Sequence, residues 1–223
     1  VSEIEYLDVW TAALAHQREH EVNRLTPDML TAGADVRKLL VPKPNRLCTA
    51  CAIEHQSDQG FFDDVHHYAW AVPTESALAE IRAYSPRGIV EIGAGGGYWA
   101  MLLRERGVDV VAYDPDPAGP NTWHDGRCWS AVLAGDHTAV VEHPERTLML
   151  CWPEQHAKWS AEAVELYAGA TVVYVGEDAD GITGCARMHD LLESKFTEVS
   201  AVALPQWVGT FDQLSVHVRT RWE

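Results

Sequence analysis

The sequence predicts an α/β protein with a mostly parallel, seven-stranded sheet, helices on its faces and an antiparallel hairpin at its end. Three observations carry that expectation. A glycine-rich turn stands between a short apolar strand and a helix. Beyond it, strand-like and helix-like patterns alternate. The last two strand patterns follow each other too closely for a crossover helix.

Taken in order, Ile4, Leu7, Trp10 and Leu14 mark an amphipathic helical stripe. Thr26-Pro27-Asp28 combines an N-cap, a first-turn proline and an acid, so Met29 to Leu40 is expected as a helix ended by Pro42 and Pro44. A less regular segment runs through Asp64. Pro73-Thr74-Glu75 then opens a helix carrying Ala77, Leu78 and Ile81, closed by Pro86. The sheet begins at Gly88-Ile89-Val90, continues through a helix from Tyr98 to Arg106 stopped by Gly107, and adds a second strand from Val108 to Tyr113. Further strands are expected at Trp129 to Leu133, Thr147 to Trp152 and Ala170 to Val175, with helices at Trp159 to Tyr167 and Thr183 to Lys195. Phe196 to Leu204 and Gln213 to Arg221 form the closing hairpin. The chain thus divides into a helical extension, residues 1–85, and a sheet domain, residues 86–223.

At 223 residues the chain suits one α/β domain with a small appendage. A net charge of -16 and the lack of any basic run disfavour a nucleic-acid duplex or an anionic membrane as partner. No leader and no apolar run of the ~20 residues needed to cross a bilayer is visible, so a soluble, cytoplasmic protein is expected. Five cysteines, an odd number at scattered spacings, suit reduced thiols better than a disulfide framework.

The richest stretch is Glu91-Ile92-Gly93-Ala94-Gly95-Gly96-Gly97, an acid and three glycines at two-residue spacing in a strand-to-helix turn. Missing side chains there would let a ligand approach the backbone amides and the positive end of the helix. A dinucleotide fingerprint would need its third glycine where Tyr98 stands, and no Gly-Lys-Ser/Thr of a phosphate loop follows. Asp114, at the end of the second strand, occupies the place from which an acid accepts hydrogen bonds from a ribose.

On these residues the chain, from about Tyr68 to Arg221, resembles the class I, Rossmann-like S-adenosylmethionine-dependent methyltransferases. The resemblance implies their sandwich fold, S-adenosylmethionine as cofactor, and methyl transfer to oxygen, nitrogen or carbon of a small aromatic or amine-bearing acceptor. A peptide acceptor, or a non-catalytic sensing or protein-binding module on the same fold, is the alternative. It further implies a cofactor site formed by Glu91, Gly93, Ala94, Gly95, Gly97, Trp99, Asp114 and Pro115, with Asp136 toward the adenine and Tyr68 and Trp152 as walls. The N-terminal extension is expected to cover the cofactor and help to build the acceptor pocket.

The fourth strand ends in Cys151-Trp152-Pro153-Glu154, where family members that methylate amide or nucleobase nitrogens carry Asn/Asp-Pro-Pro-Tyr. Cysteine in place of that oxygen disfavours such acceptors, and an apolar setting disfavours a Cys151 thiolate. His66 and His67, beside Tyr68 and Trp70, suit a base near neutral pH, and Glu177 is a second candidate. Trp70, Asp178 and Trp207 are expected to touch the acceptor, because flat aromatic faces hold amines or a sulfonium. Cys48, Cys51 and His55 have part of a zinc spacing, yet no second Cys/His pair completes it, and no metal is expected.

Overall fold

The structure, a computed structural model, describes residues 4–12, 60–207 and 210–220. The helix expected over Met29 to Leu40, and the Cys48, Cys51 and His55 group, lie outside the described residues, as does Leu14.

The helices are α1 (5–12), α2 (Gly60–His67), α3 (Glu75–Ala83), α4 (Tyr98–Glu105), α5 (Trp159–Leu166) and α6 (Ala186–Lys195). The strands are β1 (Ile89–Ile92), β2 (Val110–Asp114), β3 (Leu133–Ala134), β4 (Thr147–Cys151), β5 (Thr171–Gly176), β6 (Phe196–Ala203) and β7 (Gln213–Arg219), and a 3₁₀ turn covers His137–Glu142. Their order across the sheet is β3-β2-β1-β4-β5-β7-β6. The first five strands are parallel, and β7 runs antiparallel to both β5 and β6. This is the class I methyltransferase sandwich, with the reversed hairpin that the spacing of the last two strands predicts.

Local chemistry explains the elements. Thr74 caps α3 by accepting from the Ala77 amide at 3.2 Å, and α3 buries Ala77, Leu78 and Ile81. Strand β1 lies between β2 and β4 with all four residues buried, so it reads as an apolar run interrupted only by Glu91. Helices cover both faces. Leu78, Ile81, Trp99 and Leu102 form a core on one face with Val173 and Val216, and Val164, Tyr167, Met188 and Leu192 pack on the other with Val90, Leu148 and Val172.

Two elements differ from expectation. Trp129 to Leu133 is not a strand: β3 contains only Leu133 and Ala134, both exposed at the sheet edge, while Trp129 turns inward and donates its indole N–H to the His67 carbonyl at 2.7 Å. Helix α6 begins at Ala186 rather than Thr183. The Thr183 hydroxyl instead accepts from the Glu177 amide at 2.6 Å and meets the Tyr174 hydroxyl at 2.7 Å, which holds that residue in the preceding loop.

The N-terminal segment is fastened to the sheet domain by aromatic contacts. Tyr6 stacks on Tyr68 with ring centroids 4.7 Å apart, and its hydroxyl accepts from the Trp207 indole at 2.8 Å. Trp10 donates to the Gln206 carbonyl at 3.2 Å.

Leu148 is fully buried in the second core. Leu148→Ala is expected to cost about 2–5 kcal/mol, through lost transfer energy plus the void left behind. Urea denaturation should show a lower midpoint with an unchanged slope.

Candidate functional site

Strands β2 and β4 leave β1 on opposite sides, so the carboxyl ends of these strands open a crevice where the chain reverses direction across the sheet. A cavity of about 440 Å³ occupies it. Its floor is the glycine turn and the end of β1. Its sides come from the loops after β2 and β4 and from the segment following α2.

The turn is held from below. Gly93 and Ala94 donate their amides to the Tyr113 carbonyl at 2.9 and 3.0 Å, and Gly97 donates to the Ala94 carbonyl at 2.9 Å. Gly95 donates to Asp114 Oδ2 at 2.8 Å, and Asp114 Oδ1 accepts from the Asp116 amide at 2.9 Å. The expected approach of a ligand to these amides is therefore corrected: four of them already bond within the protein. Two glycines are required, Gly93 by conformation and space and Gly95 by conformation alone. At Gly93, φ is +75° and a Cβ would lie 2.8 Å from the Trp159 ring. At Gly95, φ is +53° and a Cβ would face His124 at 3.7 Å, within the cavity lining.

Glu91 carries a carboxyl into this floor with 1% exposure, and its Oε2 has no partner among the described residues. Burial pushes the group up to about 8, outweighing the lowering by Arg104. Cys151, beside it on β4, lines the same cavity, and burial raises its thiol well above the ordinary value. That setting suits packing, not thiolate chemistry.

The aromatic wall has an unusual anchor. Trp152 has a φ of +53°, a left-handed conformation that costs a side-chain-bearing residue of this kind about 1–2 kcal/mol. Its amide donates to the Val175 carbonyl at 2.8 Å, its indole N–H donates to Asp212 Oδ1 at 2.9 Å, and its ring stacks on Trp70 at 4.6 Å. Asp212 is 1% exposed, with Oδ2 unpartnered among the described residues. Burial, helped by the nearby Glu177 charge, pushes its carboxyl up to about 7 despite the hydrogen bond from Trp152.

Of the residues the sequence nominates for the cofactor, Tyr68, Glu91, Gly93, Ala94, Gly95, Trp99, Asp114, Pro115, Asp136 and Trp152 line the cavity; Gly97 does not, and caps the start of α4 instead. Trp99 is fixed in the core by donating to the Ala71 carbonyl at 3.3 Å. Asp136 caps the 3₁₀ turn through Thr138. Trp70 lines the cavity and donates to the Trp123 carbonyl at 3.2 Å.

The remaining nominees lie elsewhere. His66 and His67 are not in the lining: His66 meets the edge of Trp70, and His67 Nδ1 lies 2.7 Å from Asp125 Oδ2. Glu177 is buried, and its two oxygens accept from the Ile182 and Phe211 amides at 2.8 and 2.9 Å, so it fastens two loops. Asp178 is exposed and accepts from the Asp180 amide at 3.2 Å. Trp207 is in the core, 3% exposed against Tyr6. No group of three metal-ligating side chains occurs among the described residues.

Sequence reasoning missed Asn121, Trp123 and His124 on the loop after β2, and Glu154 and Trp159 after β4. His124 Nδ1 accepts from the Gly126 amide at 3.1 Å and Nε2 lies 3.1 Å from the Asp116 carbonyl, so the ring organises the loop. Glu154 was legible as part of Cys151-Trp152-Pro153-Glu154, at the end of a central strand.

The fold is that of class I methyltransferases. Solved structures similar to this chain include a 1,6-didemethyltoxoflavin-N1-methyltransferase of Burkholderia thailandensis, with 15% identity and a TM-score of 0.49 over 76% of this chain and 85% of that one. The N-methyltransferase NodS of Bradyrhizobium japonicum has 14% identity and a TM-score of 0.45 over 66% and 85%. Magnesium protoporphyrin IX methyltransferase of Synechocystis has 12% identity and a TM-score of 0.44 over 66% and 77%. No protein-family model matches the sequence, and neither does any curated protein. No helix among the described residues is long and apolar enough to cross a membrane.

Asp212 and Glu91 hold a proton more tightly folded than unfolded, where such acids titrate near 4. The stability linked to them is therefore full below about pH 4 and declines as pH rises, toward 7 for Asp212 and 8 for Glu91. Asp212→Asn keeps an oxygen for the Trp152 indole and removes the ionisation. Its melting temperature should exceed that of the unaltered protein by roughly 4 °C or more at pH 8. The gap should narrow at pH 5 and close below about pH 4; thermal unfolding across this range checks it.

Proposed function

We propose that the cavity binds S-adenosylmethionine and that the protein transfers its methyl group to a small aromatic or amine-bearing acceptor. The observation that carries this reading is the buried Glu91 carboxyl, unpartnered at Oε2, beside a glycine turn locked by Asp114, in a cavity that no Lys or Arg among the described residues lines. A dinucleotide's pyrophosphate needs free amides or cations, and four amides of this turn are already engaged. A cationic, phosphate-free nucleoside suits the lining better.

The donor, when bound, supplies an activated methyl group on its sulfonium. Residues of the chain bind and orient. Asp114 keeps lone pairs on both oxygens for ribose hydroxyls, and Glu91 offers its unpartnered oxygen to a donor group. Asp136, which also lines the cavity, would serve the adenine. Tyr68, Trp70 and Trp152 shield the reacting centre from water, and Tyr68 and Trp70 belong to the 1–85 extension, which supports its part in the acceptor pocket. The negative net charge, and the absence of Lys and Arg from the lining among the described residues, support a small-molecule acceptor over a nucleic acid.

S-adenosylhomocysteine should bind with roughly micromolar affinity and raise the melting temperature. Calorimetry that finds no such binding, but tight binding of NAD, overturns the reading. Asp114→Ala should lower that affinity about 10- to 150-fold, since charge-assisted bonds to the ribose and the clasp on Gly95 disappear together.

Gly95→Val places a β-branched residue at a φ of +53° and points its methyls into the cavity. A loss of S-adenosylhomocysteine affinity of at least ~10-fold, with an unchanged circular dichroism spectrum, is the expected result.

A further inference from the structure

The acids lining the cavity differ in what they already do. Asp114 holds two backbone amides and Asp136 holds Thr138. Glu154 is less committed. Its Oε2 accepts from the Trp159 indole at 2.7 Å, and neither an ion pair nor a hydrogen bond engages Oε1 among the described residues.

Its position brings it close to the donor end of the cavity. The Trp159 ring lies against Gly93, where a Cβ would meet it at 2.8 Å, and the N–H on that same side of the indole bonds Glu154. Glu154 therefore stands one indole away from the glycine turn. Two residues before it, Trp152 is held by Asp212 and stacked on Trp70, and both rings line the same cavity. Glu91 also has an unpartnered oxygen, Oε2, and among the described residues no Lys or Arg lines the cavity.

We propose that Glu154 is the anchor for the ammonium group of the acceptor, with Trp70 and Trp152 as the faces for its ring, so that the acceptor is an aromatic amine with a short arm between ring and nitrogen. This rests on the methyltransferase reading and narrows it to one class of acceptor. A carboxylate bond to an ammonium is strengthened where water is excluded, and indole faces attract the same charge. A carboxylate-bearing acceptor would meet repulsion from Glu154 and find no Lys or Arg among the described lining residues.

The test uses the full chain, with and without saturating S-adenosylhomocysteine, and two probes of similar shape and opposite charge: tryptamine and indole-3-propionate. Calorimetry should give at least ~10-fold tighter binding of tryptamine. Glu154→Gln should remove that preference while leaving S-adenosylhomocysteine affinity within about twofold, and Trp70→Leu should weaken tryptamine about 10-fold. Equal binding of the two probes overturns the proposal. So does unaltered tryptamine affinity in Glu154→Gln, or a loss of S-adenosylhomocysteine binding as large as that of tryptamine, which would assign Glu154 to the donor. Failure of the unaltered protein to bind S-adenosylhomocysteine sinks the cofactor reading instead, and the probe arms without it still judge Glu154.

Discussion

The carboxylate of Asp114 joins the end of β2 to the turn that follows β1. One oxygen holds the Gly95 amide and the other the Asp116 amide, so a single side chain fixes the floor of the cavity and the start of the loop that walls it. Much else follows from that clasp. With the turn in place, the Gly96 carbonyl accepts from the Trp129 amide at 2.8 Å, Trp129 stacks near Tyr68 at 5.3 Å, and the aromatic front of the cavity is set relative to its floor. Gly97 then caps the start of α4, whose Trp99, Leu102 and Leu103 bury one face of the sheet.

Unfavourable local choices gather around this cavity. A left-handed tryptophan and two buried carboxyls with an unpartnered oxygen each are arrangements that a stability optimum would avoid. They persist because packing over-determines them: Trp152 is held through its amide, its indole N–H and its ring at once. Such concentrations of strain and unsatisfied polarity mark the places where a structure is shaped for a ligand.

The central strands were readable because β1, β4 and β5 are buried on both faces and appear as continuous apolar runs. The closing hairpin was readable from chain length alone, since the connection is too short for a crossover. Strand β3 was not, because at an exposed edge it needs only two paired residues, and Trp129 is drawn away by a partner 62 positions earlier. The floor of the site followed from motif spacing, whereas its walls depend on contacts between distant segments. Glu177 and Trp207 illustrate the difficulty: an acid at a strand end and an aromatic in the connecting loop look like site residues, and both are engaged inside the fold by partners that no local pattern announces.

Tyr6 and Trp207 are 201 positions apart and meet through a hydrogen bond and a ring contact at 6.2 Å, with Tyr6 in turn stacked on Tyr68 behind the cavity. During synthesis at roughly 5 to 20 residues per second, the tyrosine waits about 10 to 40 s for its partner to emerge. Throughout that interval the nascent chain carries an aromatic surface that Trp207 later covers, and the pocket gains its full backing only once that residue has been made.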